Sequence, residues 1–166
     1  WGAFSDNGQM LLTAGGEGKI IEWNLSSGEP HEIVQITGPI SFIRYIHTDT
    51  QILAVNETGS VFIIDRSYQN IIQQNQVPYL VQSKDDVDVT QDERYVLIEN
   101  QILDLQTNTW LPAFGNYEMG NTNIIQVRIS PDEKWIGVRE APGIVRVWDW
   151  AHVFGGISNI NHFTEY

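Results

Sequence analysis

The chain has 166 residues, 42% of them hydrophobic, which is enough to bury a sizeable core. It carries 9 Lys and Arg against 21 Asp and Glu, a net charge of −12, so it should repel nucleic-acid backbones and anionic membrane surfaces and favour basic partners. It has no cysteine, which excludes disulfides and thiolate chemistry, and no run of 18 apolar residues, so the sequence predicts no membrane span.

A short apolar phrase that ends in Asn or Asp occurs four times along the chain. Its copies occupy residues 20–24, 61–65, 101–104 and 145–149, so their last residues are 41, 39 and 45 positions apart. A second phrase precedes each copy, at residues 4–8, 45–49, 89–93 and 129–133. A period near 40 residues with several short strands per unit is typical of β-propeller blades.

Each unit is predicted to form four antiparallel strands joined by tight turns, and Asn7-Gly8 is a strong hairpin signal in the first of them. The predicted strands are residues 1–5, 9–14, 19–25 and 32–37; 40–46, 51–55, 60–65 and 70–74; 87–90, 94–99, 101–105 and 109–114; and 125–130, 134–139, 144–150 and 159–164. The third strand of each unit is apolar on both faces, which predicts cover on both sides. The fold class is therefore all-β, with blades at about 1–38, 39–83, 84–121 and 122–166.

Residues 4–28 resemble a WD repeat, and residues 129–149 resemble a second one. This resemblance implies a propeller that serves as a platform for protein–protein interaction without catalysis. It places Trp23, Ile64, Leu103 and Trp148 in equivalent core positions of the four repeats. The Gly-His dipeptide of the family is missing, and Gly38-Pro39 stands there ahead of the second unit, so the family's buried His–Ser/Thr–Asp–Trp network cannot form as usual.

Four blades are few for a propeller of this kind, because relatives in the family usually close with seven or eight. An open array would leave exposed blade faces and strand edges. We therefore expect the chain to be part of a larger propeller, with further blades from the same parent chain or from a second copy.

A glutamate stands in or beside the turn between the second and third predicted strands of every unit: Glu17, Glu57, Glu99 and Glu140. Equivalent turns point to the same rim of a propeller, so these residues, with Asp85 and Asp86, form a predicted acidic rim that would bind a basic protein surface. The alternative interpretation is that these are ordinary solvated turn charges in an acidic protein.

The densest acidic cluster is Asp85-Asp86-Val87-Asp88, which could in principle bind a hard cation such as calcium. A dedicated calcium loop supplies more oxygen ligands and a glycine at the bend, and both are missing here. We therefore expect a solvated charged loop and no metal.

These patterns together predict a cytoplasmic interaction or scaffolding module that is not an enzyme and needs no cofactor. Trp110 and Trp135 are candidate interface anchors, although plain blade packing is the more common role of such residues. The alternative function is a metal-dependent propeller hydrolase with its site in the central channel. That alternative needs carboxylates on the innermost first strands, where only Asp88 is acidic.

Overall fold

The computed structural model describes residues 1–77, 81, 84–111, 114, 124–141 and 143–154, and places most of them in antiparallel strands. The strands are β1 (Gly2–Phe4), β2 (Met10–Ala14), β3 (Lys19–Asn24), β4 (Pro30–Gln35), β5 (Ile40–Ile46), β6 (Gln51–Asn56), β7 (Ser60–Asp65), β8 (Asn70–Gln76), β9 (Val87–Val89), β10 (Tyr95–Ile98), β11 (Gln101–Asp104), β12 (Thr109–Leu111), β13 (Ile124–Ile129), β14 (Trp135–Glu140) and β15 (Ile144–Asp149). A 3-10 turn at Lys84–Asp86 and the helix α1 (Trp150–Phe154) complete the described elements. The predicted all-β class is confirmed.

The strands form four antiparallel sheets in simple chain order, β1–β4, β5–β8, β9–β12 and β13–β15. We call them the first to fourth sheets, and their layout is that of WD-like blades. The predicted last strand of the fourth sheet, at residues 159–164, lies outside the described residues. The sheets group into two compact units, an N-terminal unit (Trp1–Gln82) and a C-terminal unit (Ser83–Tyr166).

Tight turns keep the strands of each sheet adjacent. Gly18 has a φ of 74°, and a Cβ on it would lie 2.0 Å from the carbonyl oxygen of Ile36, so only glycine fits between β2 and β3. The corresponding turn of the third sheet is reduced to two residues, and its Glu99 takes the left-handed conformation with a φ of 50°. The shortened turn predicted at Asn100 is therefore present.

The core of the N-terminal unit lies between the first and second sheets and is mainly aliphatic. Leu12 and Ile20 on one side pack with Ile52 and Ile64 on the other, and all four side chains are fully buried. Phe62 and Tyr45 supply the aromatic part of this core. Pairing of the two sheets thus buries one face of each.

The core of the C-terminal unit lies between the third and fourth sheets and contains more aromatic side chains. Leu97 and Ile102 pack with Ile136 and Val138, and Phe114 lies among them. Trp148 and Trp150 cover this core as half-buried side chains. Its buried centre is thus mainly aliphatic, like that of the other unit, and tryptophan rings pack at its border.

Cover on the third strands differs from the prediction at the first and fourth sheets. In β3 only Ile20 and Glu22, which share one face, are buried. β7 and β11 are buried on both faces, as expected. In β15, however, Val145 and Val147 are 47% and 44% exposed, because only the face that carries Trp148 packs on the third sheet. The apolar side chains on both faces of β15 predicted that both faces are buried. Among the described residues, however, nothing packs on the face that carries Val145 and Val147.

Candidate interaction surfaces and the contacts that support them

The four predicted repeat-core residues occupy equivalent register positions. Trp23, Ile64, Leu103 and Trp148 lie on β3, β7, β11 and β15, and each is paired with the second residue of the neighbouring second strand. Ile64 and Leu103 are fully buried. Trp23 is half-buried and donates its indole N–H to the hydroxyl of Thr13 at 2.8 Å.

A buried charged cluster joins the first sheet to the second. Glu22 on β3 is 5% exposed and accepts hydrogen bonds from the Tyr45 hydroxyl at 2.7 Å and from Arg66 Nε at 2.6 Å. Arg66 Nη2 also donates to the second carboxylate oxygen at 3.1 Å, and Arg66 Nη1 donates to the carbonyl of Asp49 at 3.3 Å. Burial of this carboxylate carries a desolvation cost, which its hydrogen bonds to Tyr45 and Arg66 offset.

Burial raises the pKa of the Tyr45 hydroxyl, and its hydrogen bond to the Glu22 carboxylate raises it further. The hydrogen bond to Glu22 raises the pKa of the Arg66 guanidinium. Tyr45 therefore stays a neutral donor and Arg66 a cation. A glutamate inside the apolar phrase Ile20-Ile21-Glu22-Trp23 was the signal for this cluster, and sequence reasoning missed it.

The joint between the third and fourth sheets uses rings and backbone contacts. Phe114 and Trp148 meet edge to face with centroids 5.3 Å apart, and Tyr95 and Trp150 do so at 6.0 Å. The Asp88 carboxylate accepts the backbone N–H of Ile129 at 2.7 Å. These contacts link the third sheet to the fourth.

A second buried carboxylate belongs to Asp104, the last residue of β11. Asp104 is 3% exposed and accepts a hydrogen bond from Arg94 Nη2 at 2.8 Å, together with the backbone N–H groups of Gln106 and Thr107. The Arg94 hydrogen bond is the main reason that the pKa of Asp104 is lowered. The Arg94–Asp104 pair therefore stabilises one end of the third sheet, and this structural role explains why a carboxylate is buried there.

The predicted acidic rim divides into exposed and buried members. Glu17 and Glu57 are exposed on turns at one end of the N-terminal unit. The linker between their sheets binds both turns, because Ile40 N donates to Gly15 O and Glu57 N donates to Pro39 O. Glu99 and Glu140 are each only 7% exposed, so their carboxylates do not present an open acidic surface.

An ion pair accounts for the buried carboxylate of Glu140, and the backbone of Glu99 is also held. Arg146 Nε donates to Glu140 at 2.5 Å, and Glu99 N donates to the carbonyl of Asp86 at 2.8 Å. In the N-terminal unit, the exposed members of the acidic rim are Glu17 and Glu57. That the rim binds a partner stays a prediction.

The expectation of a solvated loop is wrong for Asp86, which is buried, while Asp85 and Asp88 are half-buried. Asp85 is ion-paired with the guanidinium of Arg128, and Asp86 is 7% exposed. The carboxylate of Asp88 is bonded to backbone N–H groups of Val89 and Ile129. The cluster is built into the start of the third sheet, because Asp85 and Asp86 lie in the 3-10 turn and Asp88 lies on β9.

Two buried amide atoms beside Glu99 have no hydrogen-bond partner among the described residues. They are Asn100 Oδ1 and Gln101 Nε2, in residues that are 0% and 8% exposed. Nothing in the sequence pattern pointed to them.

No group of three or more His, Asp or Glu side chains within the described ranges is arranged to hold a metal ion. Over those same residues, no helix has the length and apolar composition that a bilayer crossing requires.

Two sheet faces expose apolar side chains. On the fourth sheet, register places Val145 and Val147 on the same face as Trp135, which is 48% exposed. On the first sheet, Phe4 is 66% exposed and shares a face with Trp23 through its pairing with Leu11. We call these the outer faces of the fourth and first sheets, since each is turned away from the core of its own unit.

Comparison with known proteins gives one informative match, and no family model matches the chain. "Protein LST8 homolog" from Drosophila melanogaster is 23% identical over an alignment of 162 positions, which covers 87% of this chain and 49% of that protein. The chain thus spans about half the length of this relative, which is a WD-repeat protein. Together with the four sheets, the match confirms the resemblance to WD repeats that residues 4–28 and 129–149 indicated.

Proposed function

We propose that this chain is a protein-interaction module without catalytic activity, and that it forms part of a larger WD-like propeller that binds a basic partner. The similarity to a WD-repeat protein of about twice the length supports a scaffolding role. In this proposal the blades run at about 1–38, 39–83, 84–121 and 122–166, and the module acts in the cytoplasm, in keeping with its lack of cysteine.

The orientation of the repeat-core residues supports the larger propeller. Ile64 lies in the core shared with the first sheet, and Trp148 packs in the core shared with the third sheet. In both units, this residue therefore faces the preceding sheet. Trp23, at the same register position, lies on the outer face of the first sheet, where a preceding blade would pack, and the outer face of the fourth sheet would receive a following blade.

The observation that carries the binding proposal is the exposure of Glu17 and Glu57 at one end of the N-terminal unit, on a chain of net charge −12. Exposed charges of one sign raise the rate at which an oppositely charged surface associates. They contribute little to stability, so they can be changed without unfolding the protein.

The test uses a lysine-rich peptide as the basic probe and measures its association rate. Glu17→Lys with Glu57→Lys should slow association more than Asp6→Lys with Glu29→Lys. The second pair makes the same change in charge on exposed turns at the opposite end of the first sheet. The difference should shrink as salt rises, because the Debye length is only ~8 Å at physiological ionic strength.

Equal slowing by the two pairs would mean that only total charge matters, and the proposed acidic site would be wrong. The metal-dependent hydrolase alternative is tested separately by elemental analysis of purified protein, in which a stoichiometric transition metal would favour the enzyme.

A further inference from the structure

The connection between the first and second strands has the same backbone feature in every sheet. It consists of residues 6–9, 47–50, 91–94 and 131–134, which follow the last paired residue of each first strand. The third residue of each connection is left-handed, with a φ between 53° and 67°. In the first sheet this residue is Gly8, which adopts that conformation without strain, whereas in the others it is Asp49, Glu93 and Glu133. Three sheets thus carry a carboxylate where glycine would fit best.

Two of these carboxylates reach the neighbouring sheet. Both carboxylate oxygens of Asp49 on the second sheet accept the backbone N–H of Asp6 on the first, at 3.2 and 3.0 Å. Glu133 on the fourth sheet accepts the backbone N–H of Gln91 on the third. Asp6 and Gln91 are equivalent residues, since each is the first of its connection. The same contact therefore occurs at the joint inside each unit.

The donors are available because their own turns do not use them. Ser5 O accepts Gly8 N at 2.9 Å, which closes the turn of the first sheet and leaves the N–H of Asp6 without a bond inside it. The third sheet has the same closure, from Glu93 N to Thr90 O at 3.0 Å. A carboxylate on the following sheet gives this N–H a charged acceptor, which glycine could not supply.

We propose that the left-handed carboxylate is a latch that fastens the following sheet of each unit to the turn of the sheet before it. Asp49 and Glu133 are half-buried although their immediate neighbours in the chain are exposed, as such a contact requires. The latch explains why a residue with a strained backbone stands where glycine would fit, because only a side chain can bridge the two sheets.

The latch cannot be extended beyond the first and fourth sheets. The first sheet has Gly8 in place of the acceptor, and the fourth has Pro131, which carries no N–H, in place of the donor. A neighbour on the outer face of either sheet must therefore be held by other contacts.

The test is amide hydrogen exchange, followed residue by residue by NMR on the full chain. Asp49→Gly keeps the left-handed turn and removes the acceptor, so it should speed exchange of the Asp6 amide by about tenfold. Asp6 lies 43 positions away in the chain, so its intrinsic exchange rate does not change. The Gly8 amide, which donates to Ser5 within the same turn, should keep its rate.

Glu133→Gly repeats the experiment at the other joint, where it should speed exchange of Gln91 and leave Asp6 unchanged. Asp49→Asn is the matched control for charge, because it keeps an oxygen acceptor and tolerates the left-handed backbone. It should retain most of the protection of Asp6. An Asp6 amide that exchanges equally fast in the wild type and in Asp49→Gly would overturn the latch. So would equal acceleration by Asp49→Asn and Asp49→Gly, since only the charge would then matter.

Discussion

The two units hold their neighbouring sheets together with different side chains. Between the first and second sheets, an aliphatic core surrounds the buried Glu22–Arg66 pair and Tyr45. Between the third and fourth sheets, an aliphatic core is joined by edge-to-face ring pairs and by the Asp88 carboxylate. The repeat therefore specifies where sheets meet, and the side chains at each joint decide the chemistry that holds them.

Loss of a ring from the aromatic joint should have the largest effect. Trp148→Ala removes the contact with Phe114 and should lower the free energy of unfolding by about 3 kcal/mol. Trp150→Ala should cost about half as much, since Trp150 lies on α1 at the edge of the core. Chemical denaturation of both variants checks this, and equal losses would show that the two rings support the joint equally.

The ion pair of the other joint should be sensitive to the loss of one partner. Glu22→Met leaves Arg66 without its carboxylate and should cost about 2 kcal/mol, less than for a fully buried pair because Arg66 is partly exposed. Adding Arg66→Met should recover part of this loss, because no unpaired charge is then left. A double variant that is the sum of its singles would show that the pair is not coupled.

Tyr45 gives the ion-pair joint a pH dependence at alkaline pH. In the folded state the pKa of Tyr45 is raised by burial and by Glu22, while in the unfolded chain it is about 10. Below pH 10 both states keep the proton and the contribution of Tyr45 is fully present. Above it, only the unfolded state releases the proton, so the free energy of unfolding falls as pH rises.

Tyr45→Phe should cost about 1.5 kcal/mol at neutral pH, because the hydroxyl donates to a carboxylate. The difference between wild type and variant should narrow above pH 10, since the variant has no proton to release there. Urea unfolding on both sides of this pH measures it, and a constant difference would contradict the predicted titration.

The smallest effect is expected on the outer face of the fourth sheet. Val145→Thr with Val147→Thr should change stability by less than about 0.5 kcal/mol, because both side chains are nearly half exposed. The pair should nevertheless reduce binding of a hydrophobic dye. Val127→Thr is the buried comparison on the same sheet and should destabilise the protein. A large loss from the exposed pair would show that another part of the protein covers this face.

Much of the fold could be read from the chain, because hairpins are local and their signals are local. Asn7-Gly8 and the shortened turn at Asn100 marked strand ends, and the apolar phrases marked the third strands. The candidate site was harder to predict. Glu17 and Glu140 stand at comparable turns, yet one is exposed and the other is buried against Arg146.

The sequence by itself determined the repeat, the strand order and the acidic character of the surface, since each depends on residues close together in the chain or on composition alone. Only the tertiary structure decided which charges are open to a partner. Glu22 meets Tyr45 and Arg66, and Asp85 meets Arg128, across distances of 23 to 44 residues in the chain. Such pairs form because separate sheets pack together and exclude water, and no local pattern encodes that event.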